Sequence, residues 1–252
     1  MKDATAADGV YGDDLADVYD LMYAGRPDVL HLPAFCRALR PETPSILEFG
    51  IGSGRLAIPL AKAGFQVTGI EASGTMIAML HERARGLTIT ALQGDFQQPV
   101  ATGEFDLVLI ATNTLFMVDS LEGQRQTLAR ASERLASGGH LIVETYDPHV
   151  YLDRPSPFSV TLPLAPSTLL TDTVIVDRAA QKVTQVHAIC RPGTIDTIVE
   201  HSYWLTTREL DLLAESVGLK RTERYSDFER HPITPDAGNI VSVYAARSGP
   251  DR

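Results

Sequence analysis

Cysteine is scarce. Cys36 and Cys190 are the only two, too few for a disulfide framework, and neither lies in a Cys-x-x-Cys or near a histidine at metal-ligand spacing. Both read as small buried hydrophobes in a reducing compartment. No HxxxH or histidine–carboxylate spacing suggests a metal, so no metal site is expected. Basic residues are in deficit: 22 Lys and Arg against 32 Asp and Glu leave a formal net charge of −10. That balance argues against a surface that coats nucleic acid, which needs many cations to displace counterions. No apolar run approaches the roughly 20 residues of a membrane span, and Met1–Asp8 holds no apolar signal-type segment. A cytoplasmic protein with no membrane partner is therefore expected. Repeats and low-complexity runs are absent too. What remains is ordinary globular material, 44% hydrophobic and 21% charged, which excludes disorder over most of the length. A chain of 252 residues should hide roughly 70–75% of its unfolded surface and needs no staple.

The chain divides by pattern. Residues 1–43 predict a polar tail and a helical lid. Leu15, Val18, Tyr19 and Met22 fall at helical spacing within residues 12–24. A second helix should follow Pro27, with Pro33 breaking or restarting it. Residues 44–150 alternate short apolar runs with helical segments. Strands are expected at Ser45–Phe49, Phe65–Ile70, Thr88–Leu92, Phe105–Ile110 and His140–Thr145, with helices at Arg55–Ala63, Gly74–Arg85 and Leu121–Ala136. Such alternation implies βαβ crossovers: an α/β fold, doubly wound, with a mostly parallel sheet. Residues 151–205 depart from it. Four prolines at 155–166 suggest a stiff loop, and three segments after it suggest an inserted antiparallel β meander. Residues 206–252 return to the core with a helix at Thr207–Ser216 and closing strands at Leu219–Tyr225 and Asn239–Ala246.

The chemistry concentrates where the first strand meets its helix. Leu47-Glu48-Phe49-Gly50-Ile51-Gly52-Ser53-Gly54 places three glycines at alternate positions. Glycine there admits positive φ and lets a ligand approach bare backbone, beside the positive end of a helix. The dinucleotide fingerprint is missing, because its third glycine position holds Arg55. An NAD-dependent oxidoreductase is opposed on that ground. Glu48 near the loop suits a cationic amine on a ligand. Glu71, ending the second strand, suits two ribose hydroxyls. Asp95 after the third strand can accept from an exocyclic amino group, and Phe96 can cover an adenine.

Taken together these residues resemble the class I S-adenosylmethionine-dependent methyltransferases. The matching stretches are Leu47–Gly54, Glu71-Ala72-Ser73 with Met76, Gly94-Asp95-Phe96, Phe105–Val108 with Ala111-Thr112-Asn113, and Leu135–Leu141. The resemblance covers residues 45–150 well and 205–247 loosely. It implies seven strands with the last antiparallel, and S-adenosylmethionine as cofactor. It also implies Gly50, Gly52 and Gly54 at the methionine moiety, Glu71 at the ribose, Asp95 and Phe96 at the adenine, with Ala72, Met76 and Ala111 nearby. The N-terminal segment with Tyr11, Tyr19 and Arg26 is similar to the lid of small-molecule N-methyltransferases of amino sugars and lincosamide antibiotics. That likeness implies an amine acceptor and a homo-oligomer. Tyr11, Tyr19 and Phe116 are the expected catalytic and positioning residues, with Tyr19 also on the cofactor. Arg26, Asn113 and His201 are expected at the substrate beside Tyr11 and Phe116. An O-methyltransferase, with His201 as base for a hydroxyl, stays open, as does a non-catalytic nucleoside-binding subunit. Asn-Pro-Pro-Tyr does not follow the fourth strand, so the DNA-adenine and glutamine N-methyltransferase signature is missing.

Overall fold

The computed structural model describes residues 12–13, 16, 18–42 and 44–247. Two short helices lead in: α1 at Tyr19–Tyr23 and α2 at Asp28–Leu39. Of the helix expected across residues 12–24, Gly12 and Asp13 are helical and α1 covers Tyr19–Tyr23, while Leu15 lies outside the described residues. The break expected at Pro33 does not occur. α2 runs through it, because Leu32, Phe35 and Cys36 bury on the core and packing outweighs one missing amide bond.

The core follows as β1 (Ser45–Phe49), α3 (Ala57–Lys62), β2 (Gln66–Glu71), α4 (Gly74–Arg83), β3 (Ile89–Gln93), β4 (Phe105–Ile110), α5 (Leu121–Glu133) and β5 (Leu135–Tyr146). After a short helix α6 (His149–Leu152) come β6 (Phe158–Ala165), β7 (Thr168–Asp177), β8 (Lys182–Arg191) and β9 (Thr194–Tyr203). α7 (Thr207–Ser216), β10 (Leu219–Tyr225) and β11 (Asn239–Ala246) close the chain. The main sheet has seven strands in the order β10-β11-β5-β4-β1-β2-β3. β11 runs antiparallel to both neighbours, and the other pairings are parallel. No helix among the described residues is long and apolar enough to cross a membrane.

The all-apolar run of β4 explains the layering. Leu107 and Leu109 pack with α2 and α3 on one face, while Val108 and Ile110 pack with α5 and α7 on the other. β5 begins at Leu135 rather than His140, so α5 ends three residues short of its expected Ala136. Phe105 pairs with Leu135 and Leu107 with His140, and Gly138 at φ +71° absorbs the extra residues in a bulge.

The second sheet has four antiparallel strands in the order β6-β7-β8-β9, where three segments were expected. Part of the proline-rich stretch is a strand, Phe158–Ala165, which holds Pro163 and leaves Pro155, Pro157 and Pro166 outside. Pro163 is tolerated because β6 is an edge strand, and the pairing with β7 slips between Pro163 and Ala165. Tyr146 Oη lies 2.9 Å from Ser202 Oγ, and Gln124 Nε2 donates to the Tyr203 carbonyl at 2.7 Å. These bonds fix the second sheet over the carboxyl end of the first. There the strand order reverses between β1 and β4, leaving a crevice that open α/β sheets use for ligands.

Candidate functional site

The crevice is built from three loops. β1 exits through Gly50, Gly52 and Gly54 at φ +72°, +54° and +87°. The Gly50 and Ile51 amides donate to the Ile70 carbonyl, so the loop hangs on β2. Glu71 then ties two loops together. Its Oε2 accepts from the Gly52 amide and its Oε1 from the Ser73 amide, both at 2.9 Å. Burial raises its carboxyl above the usual range against the pull of those amides. Gly54 has a different reason for being glycine. A Cβ there would lie 2.3 Å from Leu80 Cδ1, on a buried residue of α4. Gly54→Ala combines positive-φ strain with overpacking. It should lower stability by about 2–3 kcal/mol, read by urea denaturation.

The loop after β4 is strained. Thr112 and Asn113 are consecutive non-glycine residues at φ +53° and +64°. For a β-branched threonine this is an outlier, costing roughly 1–3 kcal/mol per residue. The surroundings hold it. Glu144 Oε2 accepts from the Thr112 amide at 2.8 Å, Arg55 Nη2 donates to Thr112 Oγ1 at 2.6 Å, and Asn113 Oδ1 accepts from the Tyr146 amide at 2.6 Å. Behind the loop, Asp28 takes Arg26 at 3.0 Å and Arg55 at 2.7 Å, and Arg26 also pairs with Glu144.

α1 covers the crevice. Tyr19 and Tyr23 both line it, with ring centroids 4.6 Å apart, and the Arg55 guanidinium sits 5.2 Å from the Tyr23 ring centre. Burial pushes both phenols up, so both remain neutral hydroxyls. Gly50, Gly52, Glu71, Ala72, Met76, Phe96, Thr112, Asn113, Thr114 and Met117 complete the walls, and Glu200 reaches in from β9. The cleft holds about 750 Å³ of atom-free space, part of it open to solvent.

A second cavity adjoins it. Tyr23, Asn113 and Glu200 line both spaces and form the shared wall. Arg26, Tyr146, Tyr151, Asp172, Gln185, His187 and Asn239 supply its polar walls, and Met22, Leu164 and Leu170 its apolar ones. His187 is buried between two carboxylates. Nδ1 lies 2.7 Å from Asp172 and Nε2 3.0 Å from Glu200.

The structure brings together Tyr19, Gly50, Gly52, Glu71, Ala72, Met76, Phe96 and Asn113 on one cleft. Gly54 lies beneath its loop. Asp95 caps the turn after β3 through Gln97, and Ala111 is buried with its carbonyl on Thr114. Neither lines the cleft. Arg26 lies in the second cavity, already held by Asp28 and Glu144. Tyr11 lies outside the described residues.

Three expected positions differ. Phe116 is not on the cleft. It follows Thr114 into a 3₁₀ turn whose apolar side chains bury, and its ring packs edge-on to Tyr146 at 5.0 Å. His201 is displaced by register. Side chains alternate along β9, so Glu200 takes the cavity face and His201 turns to the other, against Thr184. Glu48 does not line the cleft either. It is buried behind the glycine loop, where burial, opposed by Arg55 and aided by Glu71, raises its carboxyl to about 8. Wall residues that the sequence did not single out include Glu200, Asp172 and His187. The alternation of β9 was a usable signal for Glu200. Nothing local announces the cross-strand pairing that makes the His187 clamp.

The donor set suits a ligand that carries an amino acid at one end and a nucleoside at the other. Glu48 Oε2 and Arg55 Nε are buried atoms without hydrogen-bond partners among the described residues, one an acceptor and one a donor. Neither lines the cleft, where the bare backbone of Gly50 and Gly52 is left for a ligand's amino-acid end. Glu71 offers oxygens to vicinal hydroxyls, and Phe96, stacked on Phe49 at 5.7 Å, offers an aromatic face.

A family described as "Methyltransferase domain" matches residues 46–139. Among solved structures, the CcbJ methyltransferase from Streptomyces caelestis is 30% identical. That alignment covers 96% of this chain and 99% of the other, with a TM-score of 0.89. The cypemycin N-terminal methyltransferase of a Streptomyces species is 27% identical, over 93% of this chain and 96% of the relative. A dTDP-3-amino-3,4,6-trideoxy-α-D-glucopyranose N,N-dimethyltransferase from Streptomyces venezuelae is 28% identical, over 54% of this chain and 59% of the relative.

Proposed function

The chain belongs to the S-adenosylmethionine-dependent methyltransferases, and on that premise we propose that it methylates an amine of a small secondary metabolite, of the amino-sugar or lincosamide-precursor kind. One observation carries the reading. The cavity that shares a wall with the cofactor cleft sets two carboxylates, Asp172 and Glu200, against one imidazolium, His187, while its Arg26 is taken by Asp28 and Glu144, so one negative charge is left where an acceptor would sit. A cationic amine gains from that wall, and a polyanion is repelled by it. Two relatives' names support the amine, an N-terminal methyltransferase and an N,N-dimethyltransferase.

Roles follow from the geometry. Gly50 and Gly52 leave backbone open to the methionine end. Glu71 takes the ribose hydroxyls. Phe96 covers the adenine. Tyr19 and Tyr23 close the cleft against water and fix the acceptor's approach. S-adenosylmethionine supplies a methyl group on a sulfonium, and the protein's part is a dry, aligned wall for its transfer.

A panel of amino sugars, peptides with free N-terminal amines and phenols tests this. Formation of S-adenosylhomocysteine should track the amines. Turnover of peptide amines alone would keep nitrogen as the target and move the acceptor class. Turnover of phenols alone would replace the reading with O-methylation.

A further inference from the structure

We propose that Glu200, held in place by the Asp172–His187 pair, receives the ammonium of the acceptor and takes its proton, which frees the nitrogen lone pair for attack. This role rests on the amine-acceptor reading above.

Glu200 stands at the one wall common to both cavities, with Tyr23 and Asn113. Its position is set by pairing. Asp172 of β7 and His187 of β8 are direct cross-strand partners. His187 faces Ile198 of β9, so Glu200 is its diagonal neighbour two residues on. Both ring nitrogens face carboxylate oxygens. A neutral ring would aim a lone pair at one of them, so the geometry demands an imidazolium that donates twice. Burial disfavours that charge, and the two carboxylates overcome it, pushing His187 up to about 9. Among the described residues, the other titratable groups lining this cavity are Tyr23 and Arg26 from the N-terminal segment, Tyr146 from β5 and Tyr151 from α6. Burial raises all three phenols, and Arg26 is committed to Asp28 and Glu144. His187 is therefore a positioning residue, and Glu200 is the group that touches the acceptor.

The step balances simply. An N–H bond of the ammonium breaks, an O–H bond forms on Glu200, and the electron pair stays on nitrogen. The nitrogen regains its positive charge on methylation, and Glu200 returns its proton to solvent with the product.

Two measurements test the proposal on the full-length protein. The first needs no turnover: nitrogen-15 NMR of the histidine rings across pH. Both His187 nitrogens should stay protonated past pH 8, with an assignment check in His187→Gln. Titration at an ordinary histidine value overturns the clamp. The second uses the panel amine that the wild type turns over fastest. Glu200→Gln should lower kcat/KM roughly tenfold at neutral pH and recover as the pH passes the amine's own pKa. Glu200→Asp should restore part of the loss. His187→Gln should raise KM for the amine and leave KM for S-adenosylmethionine unchanged. Melting and S-adenosylhomocysteine binding control for folding. If Glu200→Gln keeps the wild-type pH profile and KM while amines are still methylated, this proposal falls and the amine reading stands. If only phenols are methylated, both fall.

Discussion

Glu71→Ala is expected to weaken S-adenosylhomocysteine binding roughly a hundredfold or more, measured by calorimetry. Hydrogen bonds to a charged group contribute about 1.5–3 kcal/mol each, and every 1.4 kcal/mol is tenfold. Two ribose hydroxyls on one carboxylate reach that total. A second effect points the same way. The same carboxylate accepts from the Gly52 and Ser73 amides, so its removal leaves two inward-facing donors unbound and loosens the glycine loop. Glu71→Gln should fall between, because an amide keeps one acceptor oxygen and adds a donor facing an N–H. Equal affinity in wild type and Glu71→Ala would remove this residue from the cofactor site.

The second large effect lies behind the cleft. Asp28 is the carboxylate on which Arg26 and Arg55 converge, and its side chain is 5% exposed. Removing one member of a buried ionic network strands the other charges and costs about 3–5 kcal/mol. For a chain of this size that should lower Tm by roughly 6–20 °C in Asp28→Ala. The strained pair Thr112–Asn113 should suffer with it, because Arg55 holds the Thr112 hydroxyl. The pH dependence has a definite sign. Burial raises the Asp28 carboxyl, and Arg55 and Arg26 more than offset it, leaving it below its ordinary value near 3.8. Its contribution is complete above that value and disappears as the pH falls through the native one. The gap in Tm between wild type and variant should therefore narrow in acid. The His187 clamp behaves oppositely. Its contribution is full below 6.5 and fades as the pH rises through about 9.

Much of the core was legible because its signals are local. Ser45–Phe49 and Phe105–Ile110 could be bounded to the residue, since an apolar run flanked by polar turns allows one placement. The glycine loop and Glu71 were legible for the same reason: backbone conformation and strand ends are written in consecutive residues. Pro163 misled, because a proline forbids a central strand but not an edge strand, and edge position is a property of the whole sheet. Phe116 and His201 misled by chemistry without direction. Each sits within a residue or two of a true wall position, and in a strand or a tight turn one step reverses the side chain. The Asp172–His187–Glu200 clamp joins three strands and was invisible to any reading of neighbours in sequence.

The most direct test uses one acceptor scaffold that carries both an amine and a hydroxyl. It is incubated with the protein and S-adenosylmethionine bearing a deuterated methyl group, and NMR locates the label. The account predicts the label on nitrogen, with the signal lost in Glu71→Ala. A label on oxygen with the amine untouched would contradict it.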